Sequence, residues 1–314
     1  EFNNKKIETE KYIFNAKKNP KDLGPFPEYT LWYHNEELLK MEFKNPKDKK
    51  IIKIIRNDWG NWLKTIWITG GSTGIGFAVA KKFLDQNWCV IISSRNRDKL
   101  EQANKNLKIQ SKNKNLYSFV CDVTKYEDVH NTVSSIENEI APINLALLGA
   151  AAYSPNKTQD FDLKNYELLI EVNLKGTLNC IDVLKNFMKN RGDHISIISS
   201  PVGFRGMPTA GAYGMTKAAQ LNLAESLYFD FRKLNINISV INPGFIDTES
   251  TKLNSFKMPM LKSPKYAAEK IYNGLTKKYK FEIYFPFIVV FCVKVMRILP
   301  LKFYSYLWKR LGNF

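Results

Sequence analysis

A short apolar segment, Lys64–Thr69 (KTIWIT), runs straight into Thr69-Gly70-Gly71-Ser72-Thr73-Gly74-Ile75-Gly76, and helical spacing follows at once. Glycines placed this way between a strand and a helix restrict the fold more than any other feature of the chain. Gly70 permits a tight turn, Gly74 lets the backbone approach an anion, and Gly76 lets the helix pack down on the strand. The free N–H groups and partial positive charge of the helix start then face a phosphate. Gly70, Ser72, Thr73, Gly74, Ile75 and Gly76 are therefore the first candidates for holding a dinucleotide pyrophosphate.

Strand and helix patterns continue to alternate. Phe77–Gln86 has Ala80, Phe83 and Leu84 at helical spacing, and Cys89–Ser93 is an apolar strand. Leu116–Cys121, Asn144–Leu148, Ile195–Ile198 and Asn237–Ile241 read as further strands, with a helix over Val129–Glu139 and two long helices around Ile195–Ile198. This order predicts an α/β fold: a doubly wound parallel sheet of the Rossmann type in three α/β/α layers, spanning 63–280. The polar segment 1–62 carries Pro20, Pro25, Pro27 and Pro46 but keeps Phe26, Tyr29, Trp32, Tyr33, Trp59 and Trp62. It reads as an arm that packs on the main domain or on a partner, either in a homo-oligomer or in a larger complex. The chain begins at Glu1 without Met, so it is read as a processed or trimmed product in which an original targeting segment would be invisible.

The second strand ends in Ser93-Ser94-Arg95-Asn96-Arg97. An acidic residue here would bind ribose hydroxyls and repel a 2′-phosphate. Arg95 instead can pair with a 2′-phosphate, with Ser94 adding a hydrogen bond, so NADP(H) is the expected cofactor. Downstream, Tyr213 and Lys217 are four residues apart and share a helical face, and Ser200 ends the strand thirteen residues before Tyr213.

Taken together, the glycine loop, Ser200, Tyr213 and Lys217 resemble the short-chain dehydrogenase/reductase family over about residues 64–280. The resemblance implies interconversion of a carbonyl and an alcohol. Ser200 would hydrogen-bond the carbonyl oxygen, and Tyr213 would donate the proton. Lys217 would stabilise the phenolate and hold the nicotinamide ribose, and Asn173 would fix a water of the proton relay. The resemblance also implies that Asp122 and Val123 contact the adenine, and that Ala150, Pro243, Gly244, Ile246 and Thr248 line the nicotinamide side. One departure stands out. Leu148-Gly149-Ala150-Ala151 replaces the family's Asn-Asn-Ala-Gly, so the hydrogen bonds that brace the sheet there must come from elsewhere.

Glu249–Lys262 covers the substrate position and carries Leu253, Phe256, Met258, Met260 and Leu261, suggesting a lipophilic ketone or aldehyde. Residues 281–314 form an apolar and basic helical extension. Its run Phe285–Val293 is too short to cross a bilayer, which takes about 20 apolar residues. Tyr284, Tyr304, Tyr306 and Trp308 with Lys302, Lys309 and Arg310 suit a membrane surface instead. The expected enzyme is thus intracellular and membrane-associated, with its organelle left open. Two other readings stand beside it: a scaffold subunit of a membrane assembly with little catalysis, and a reductase of soluble polar substrates.

The net charge of +17 is spread without a dense basic run and carries no zinc-finger or RNA-binding signature, so no nucleic-acid partner is expected. Cys89, Cys121, Cys180 and Cys292 show no paired spacing, and His34, His130 and His194 form no ligand cluster. Reduced thiols and no metal site are the corresponding expectations.

Overall fold

In the computed structural model, the described residues are 10–14, 29–34, 37–44, 51–55, 63–155, 161–256, 258–277 and 279–311. The chain divides into two compact units, Glu1–Leu63 and Lys64–Phe314. Of the arm's marker residues, Pro20, Pro25, Phe26, Pro27, Pro46, Trp59 and Trp62 lie outside the described residues.

The first unit contains a four-stranded antiparallel sheet. Its strands β1 (Glu10–Phe14), β2 (Tyr29–His34), β3 (Glu37–Lys44) and β4 (Ile51–Ile55) lie side by side in chain order. The register of β2 on β3 shifts between Trp32 and Tyr33, the signature of a bulge. The segment expected as an arm forms these strands from short apolar and aromatic runs before, between and after its prolines.

The second unit is built on a parallel sheet. In chain order its elements are β5 (Thr65–Thr69), α1 (Gly74–Leu84), β6 (Cys89–Ser94), α2 (Arg97–Gln110), β7 (Leu116–Val120) and α3 (Tyr126–Ser135). Then come β8 (Leu145–Leu148), α4 (Leu163–Leu169), α5 (Gly176–Met188), β9 (His194–Ile198) and α6 (Gly211–Asp230). The last are β10 (Asn237–Pro243), α7 (Pro264–Thr276), β11 (Glu282–Phe285), α8 (Phe287–Ile298) and α9 (Leu301–Leu311).

The seven strands run in the order β11-β10-β9-β8-β5-β6-β7, all parallel. Strands such as β5 and β8 are buried along their whole length, as expected where helices cover both faces. On one face Val79, Ala80 and Phe83 of α1 meet Ala267 and Ile271 of α7 over Ile66, Ile68 and Ile92. The other face is covered by α3, α5 and α6, whose Val133, Leu184 and Ala224 are fully buried. Asn96 caps α2 by accepting from the Lys99 amide, and Ser263 caps α7 ahead of Pro264.

Strand order reverses between β5 and β8, because β6 and β7 continue to one side and β8 starts the other. In an open α/β sheet a ligand crevice forms there, outside the carboxyl ends of the strands. Two local differences from the sequence reading matter. The helix expected over Val129–Glu139 is α3 followed by a π-turn segment at Ile136–Ile140. The expected extension 281–314 opens with β11, an edge strand of the sheet, and Pro286 separates that strand from α8. No described helix is long and apolar enough to cross a membrane.

Candidate active site

The glycine turn joins β5 to α1 at the point of strand reversal. Gly70 has φ +69°, a left-handed conformation that side chains resist. A β-carbon at Gly76 would stand 2.3 Å from the Gly70 carbonyl oxygen, so the helix start is packed directly onto the turn. At Gly74 a β-carbon would lie 3.2 Å from Cγ2 of Thr248, which brings the β10 side of the crevice against the loop. No acidic residue occupies the first turn of α1, and Thr73 makes no side-chain cap. The N–H groups of that turn thus remain available to a phosphate. Ser72 and Ile75 are half-buried here and Thr73 is exposed.

Thr69 supplies the bracing missing from Leu148–Ala151. Its Oγ1 accepts from the amides of Gly149 at 3.0 Å and Ala150 at 3.1 Å, tying the ends of β5 and β8. Ser94, the last residue of β6, is half-buried, and Arg95 just past it is exposed, with no ion pair to a carboxylate among the described residues. Asp122 turns Oδ1 onto Thr124, accepting from its amide and hydroxyl, and Val123 is packed beneath Gly176. Pro243 ends β10, and the Gly244 amide donates to the Phe285 carbonyl. The Ile246 side chain is in the apolar core, only 2% exposed, so a ligand contact there would fall to its backbone.

Ser200, just past β9, accepts from the Val202 amide and stands near Tyr213 of α6. Tyr213 keeps part of its surface exposed. Lys217, one turn on, is 1% exposed, and its Nζ lies 5.4 Å from the Tyr213 ring centroid. Nζ donates to the Ile198 carbonyl at 2.8 Å and to Oε1 of Gln220 at 2.9 Å. The elements that bring these groups together are locked to each other. Ser199 Oγ donates to the Lys217 carbonyl, which holds the end of β9 against α6.

Burial raises the Tyr213 pKa above its ordinary value. The neighbouring Tyr153 adds to the rise, and the nearby Ser200 hydroxyl partly opposes it. Burial lowers Lys217 to about 7. In the resting protein the phenol is thus held protonated, and stabilisation by Lys217 concerns the phenolate formed after proton transfer. Lys217 points its hydrogen bonds at Ile198 and Gln220, lies over the phenol ring, and is itself desolvated. Tyr213 therefore keeps its proton at rest, the form a proton donor needs.

Asn173 sits in a π-turn segment, Ile170–Lys175, and is fully buried. Its side chain clamps Ala152, accepting from the amide at 2.7 Å and donating to the carbonyl at 3.1 Å, and it also reaches Thr216 Oγ1. Three residues missed in the sequence complete the site. Tyr153 stands edge-on to Tyr213 and is hydrogen-bonded to Asn254 of the covering segment. Gln220 is buried beside Lys217. Arg205, between Ser200 and Tyr213, donates to the carbonyls of Met296, Arg297 and Leu299 and lies 4.3 Å from the Tyr304 ring centroid. The Tyr304 hydroxyl donates back to the Gly206 carbonyl, so α8 and α9 are fastened to the loop between the catalytic candidates. A polar residue three positions from Lys217 on a buried helix face was a readable signal for Gln220. Tyr153 and Arg205 left none. Among the described residues no group of three His, Cys, Asp or Glu side chains could hold a metal.

Residues 64–284 match the family described as short chain dehydrogenase. The chain belongs to that family. It is an oxidoreductase of the nicotinamide-dependent kind. An oxidoreductase of Staphylococcus epidermidis is 28% identical over 194 residues, covering 62% of this chain and 82% of that one. An oxidoreductase of Sarocladium schorii is 32% identical over 190 residues, covering 60% and 74%. Among solved structures, ElxO with NADP bound is 26% identical with a TM-score of 0.65, covering 73% of this chain and all of its own. The fold is also that of an alcohol dehydrogenase from Thermococcus sibiricus complexed with 5-hydroxy-NADP, at 22% identity and a TM-score of 0.64.

Proposed function

We propose that this dehydrogenase reduces a lipophilic ketone or aldehyde with NADPH, or runs the reverse oxidation. The observation that carries the reading is the meeting of Ser200, Tyr213 and Lys217 where the end of β9 is tied to α6, with Lys217 Nζ 5.4 Å from the Tyr213 ring centroid. The residues fit the cofactor: α1 offers open amides to a pyrophosphate, and Arg95 is exposed without a carboxylate partner. When bound, the reduced nicotinamide supplies a hydride to the carbonyl carbon. Ser200 and Tyr213 hold the carbonyl oxygen by hydrogen bonds, and Tyr213 passes its proton to that oxygen as negative charge develops. Lys217, with a donor left over, would hold a ribose hydroxyl of the cofactor and stabilise the phenolate once it has formed. The intact site favours catalysis over a scaffold role.

The lipophilic preference is supported by Leu253, Phe256, Met260 and Leu261, which are exposed on the covering segment, and by its tie through Asn254 to Tyr153. The test is a carbonyl panel with NADPH and NADH. Long-chain carbonyls should turn over faster than small polar ones, and Arg95→Ala should raise the KM for NADPH about tenfold or more while leaving NADH unchanged. Preference for NADH, or for small polar carbonyls, overturns the reading.

A membrane surface is the second part of the proposal. Phe287, Ile288, Phe291, Val295 and Ile298 are exposed on α8, and Leu301 and Phe303 on α9. Arg297, Lys302, Lys309 and Arg310 lie on the same two helices. Apolar side chains entering the headgroup region beside cations suit an anionic bilayer surface. Co-sedimentation of the full chain with phosphatidylserine vesicles should fall sharply for Ile288→Glu with Phe291→Glu. Equal sedimentation, or none by the parent chain, overturns it.

A further inference from the structure

Gln220 lies three residues after Lys217 on α6 and is 1% exposed. Its Oε1 accepts from Lys217 Nζ at 2.9 Å, and its Nε2 donates to the Asn173 carbonyl at 2.8 Å and to Thr177 Oγ1 at 3.0 Å. The chemistry of the partners fixes which way the amide points. An ammonium only donates and a carbonyl only accepts, so the flipped amide would lose both bonds. The Thr177 hydroxyl donates to the same Asn173 carbonyl at 2.7 Å. That carbonyl oxygen thus carries two donors, one for each lone pair, and has nothing left for the relay water expected there.

We propose that Gln220 is a positioning residue for Lys217, its amide bridging the lysine to the Asn173 carbonyl in the place of a relaying water. Two of the three ammonium donors are then committed, to Ile198 and Gln220, and one is free for the cleft. An amide does not pass protons along a chain as water does. The inner side of Lys217 is closed to proton transfer, and the Tyr213–Lys217 pair exchanges protons through the cleft.

The groups around Lys217 make the effect readable. Tyr213 on its own helix titrates, and so does Tyr153, from the segment after β8, against the Tyr213 ring. From β9 comes the Ile198 carbonyl, with the Ser200 hydroxyl beyond it. Asn173 and Thr177 contribute only an amide, a carbonyl and a hydroxyl. Among the described residues no carboxylate is bonded to Lys217, and burial alone sets the direction of its shift. A change at position 220 therefore acts on the lysine without competition from a nearby acid.

The proposal rests on Tyr213 and Lys217 as the proton-handling pair, and its primary readout does not. The midpoint of Lys217 is followed by NMR of its ε-methylene in the full, cofactor-free chain, assigned with Lys217→Arg. Gln220→Glu should raise the midpoint by about one unit or more, because it places a carboxylate on Nζ. Gln220→Leu should lower it, because the acceptor is gone. The pH profile of kcat/KM should shift in the same two directions. Unmoved midpoints in both folded variants overturn the proposal. If Gln220→Leu fails to fold, the isosteric Gln220→Glu decides alone. Midpoints that move in a chain that reduces no carbonyl would support the positioning role and count against the proposed reductase.

Discussion

The rings of Tyr153 and Tyr213 meet edge to face, with centroids 4.8 Å apart and planes at 86°, and the Tyr153 hydroxyl is hydrogen-bonded to Asn254. A single side chain therefore touches both the proton donor and the segment that covers the substrate. Tyr153→Phe keeps the ring contact and removes the tie to Asn254. We expect KM for a lipophilic substrate to rise about tenfold, the equivalent of one hydrogen bond, with kcat changed less than threefold. Steady-state kinetics checks this, and a loss confined to kcat contradicts it.

Thr69 does the work that side-chain amides after β8 would otherwise do. Thr69→Val keeps shape and burial, but leaves the Gly149 and Ala150 amides without their acceptor. A buried amide deprived of its partner costs about 1–3 kcal/mol. Urea unfolding should show a loss of about 2 kcal/mol, and NADPH affinity should fall as the ends of β5 and β8 separate.

His194 gives the fold an acid limit. Nε2 is 2.7 Å from Ser239 Oγ, and that hydroxyl donates to the Lys280 carbonyl, so the ring must be the donor through Nε2–H. Burial lowers its pKa from 6.5 to about 4. Between those values protons bind the unfolded chain and not the folded one. The stabilisation is complete above about 6.5, declines as pH falls through the window, and is flat below about 4. The shift corresponds to about 3 kcal/mol. Denaturation midpoints measured across that range should fall further for the parent protein than for His194→Gln, and parallel curves refute the assignment.

How much of this could be read from residues alone depended on the range of each interaction. The glycine turn and the Tyr213–Lys217 pair are local patterns, governed by a strand-to-helix junction and one helical turn, and they stood out. Fold class followed from alternating apolar and amphipathic runs. Asn173 could be named, but its clamp on Ala152 spans a chain separation that no spacing encodes. The same holds for Thr69 with Ala150, and for Arg205 with the end of α8. Edge strand β11 escaped because Glu282–Phe285 merges into a longer apolar run, and only Pro286 marks the break. The rise in the Tyr213 pKa in the resting chain was not legible, because burial is set by packing across the sheet and not by spacing along α6. The four strands of the N-terminal segment were not legible, because their apolar and aromatic runs are short and set among Lys, Asn and Pro.

Tyr213→Phe tests the central claim most directly, measured at once for carbonyl reduction and for NADPH binding by fluorescence titration. Loss of the hydroxyl should cut kcat/KM by about a thousandfold, within the range of general acid catalysis, while the dissociation constant for NADPH stays within about threefold. Retained turnover would contradict the account, because the proton would then come from another group.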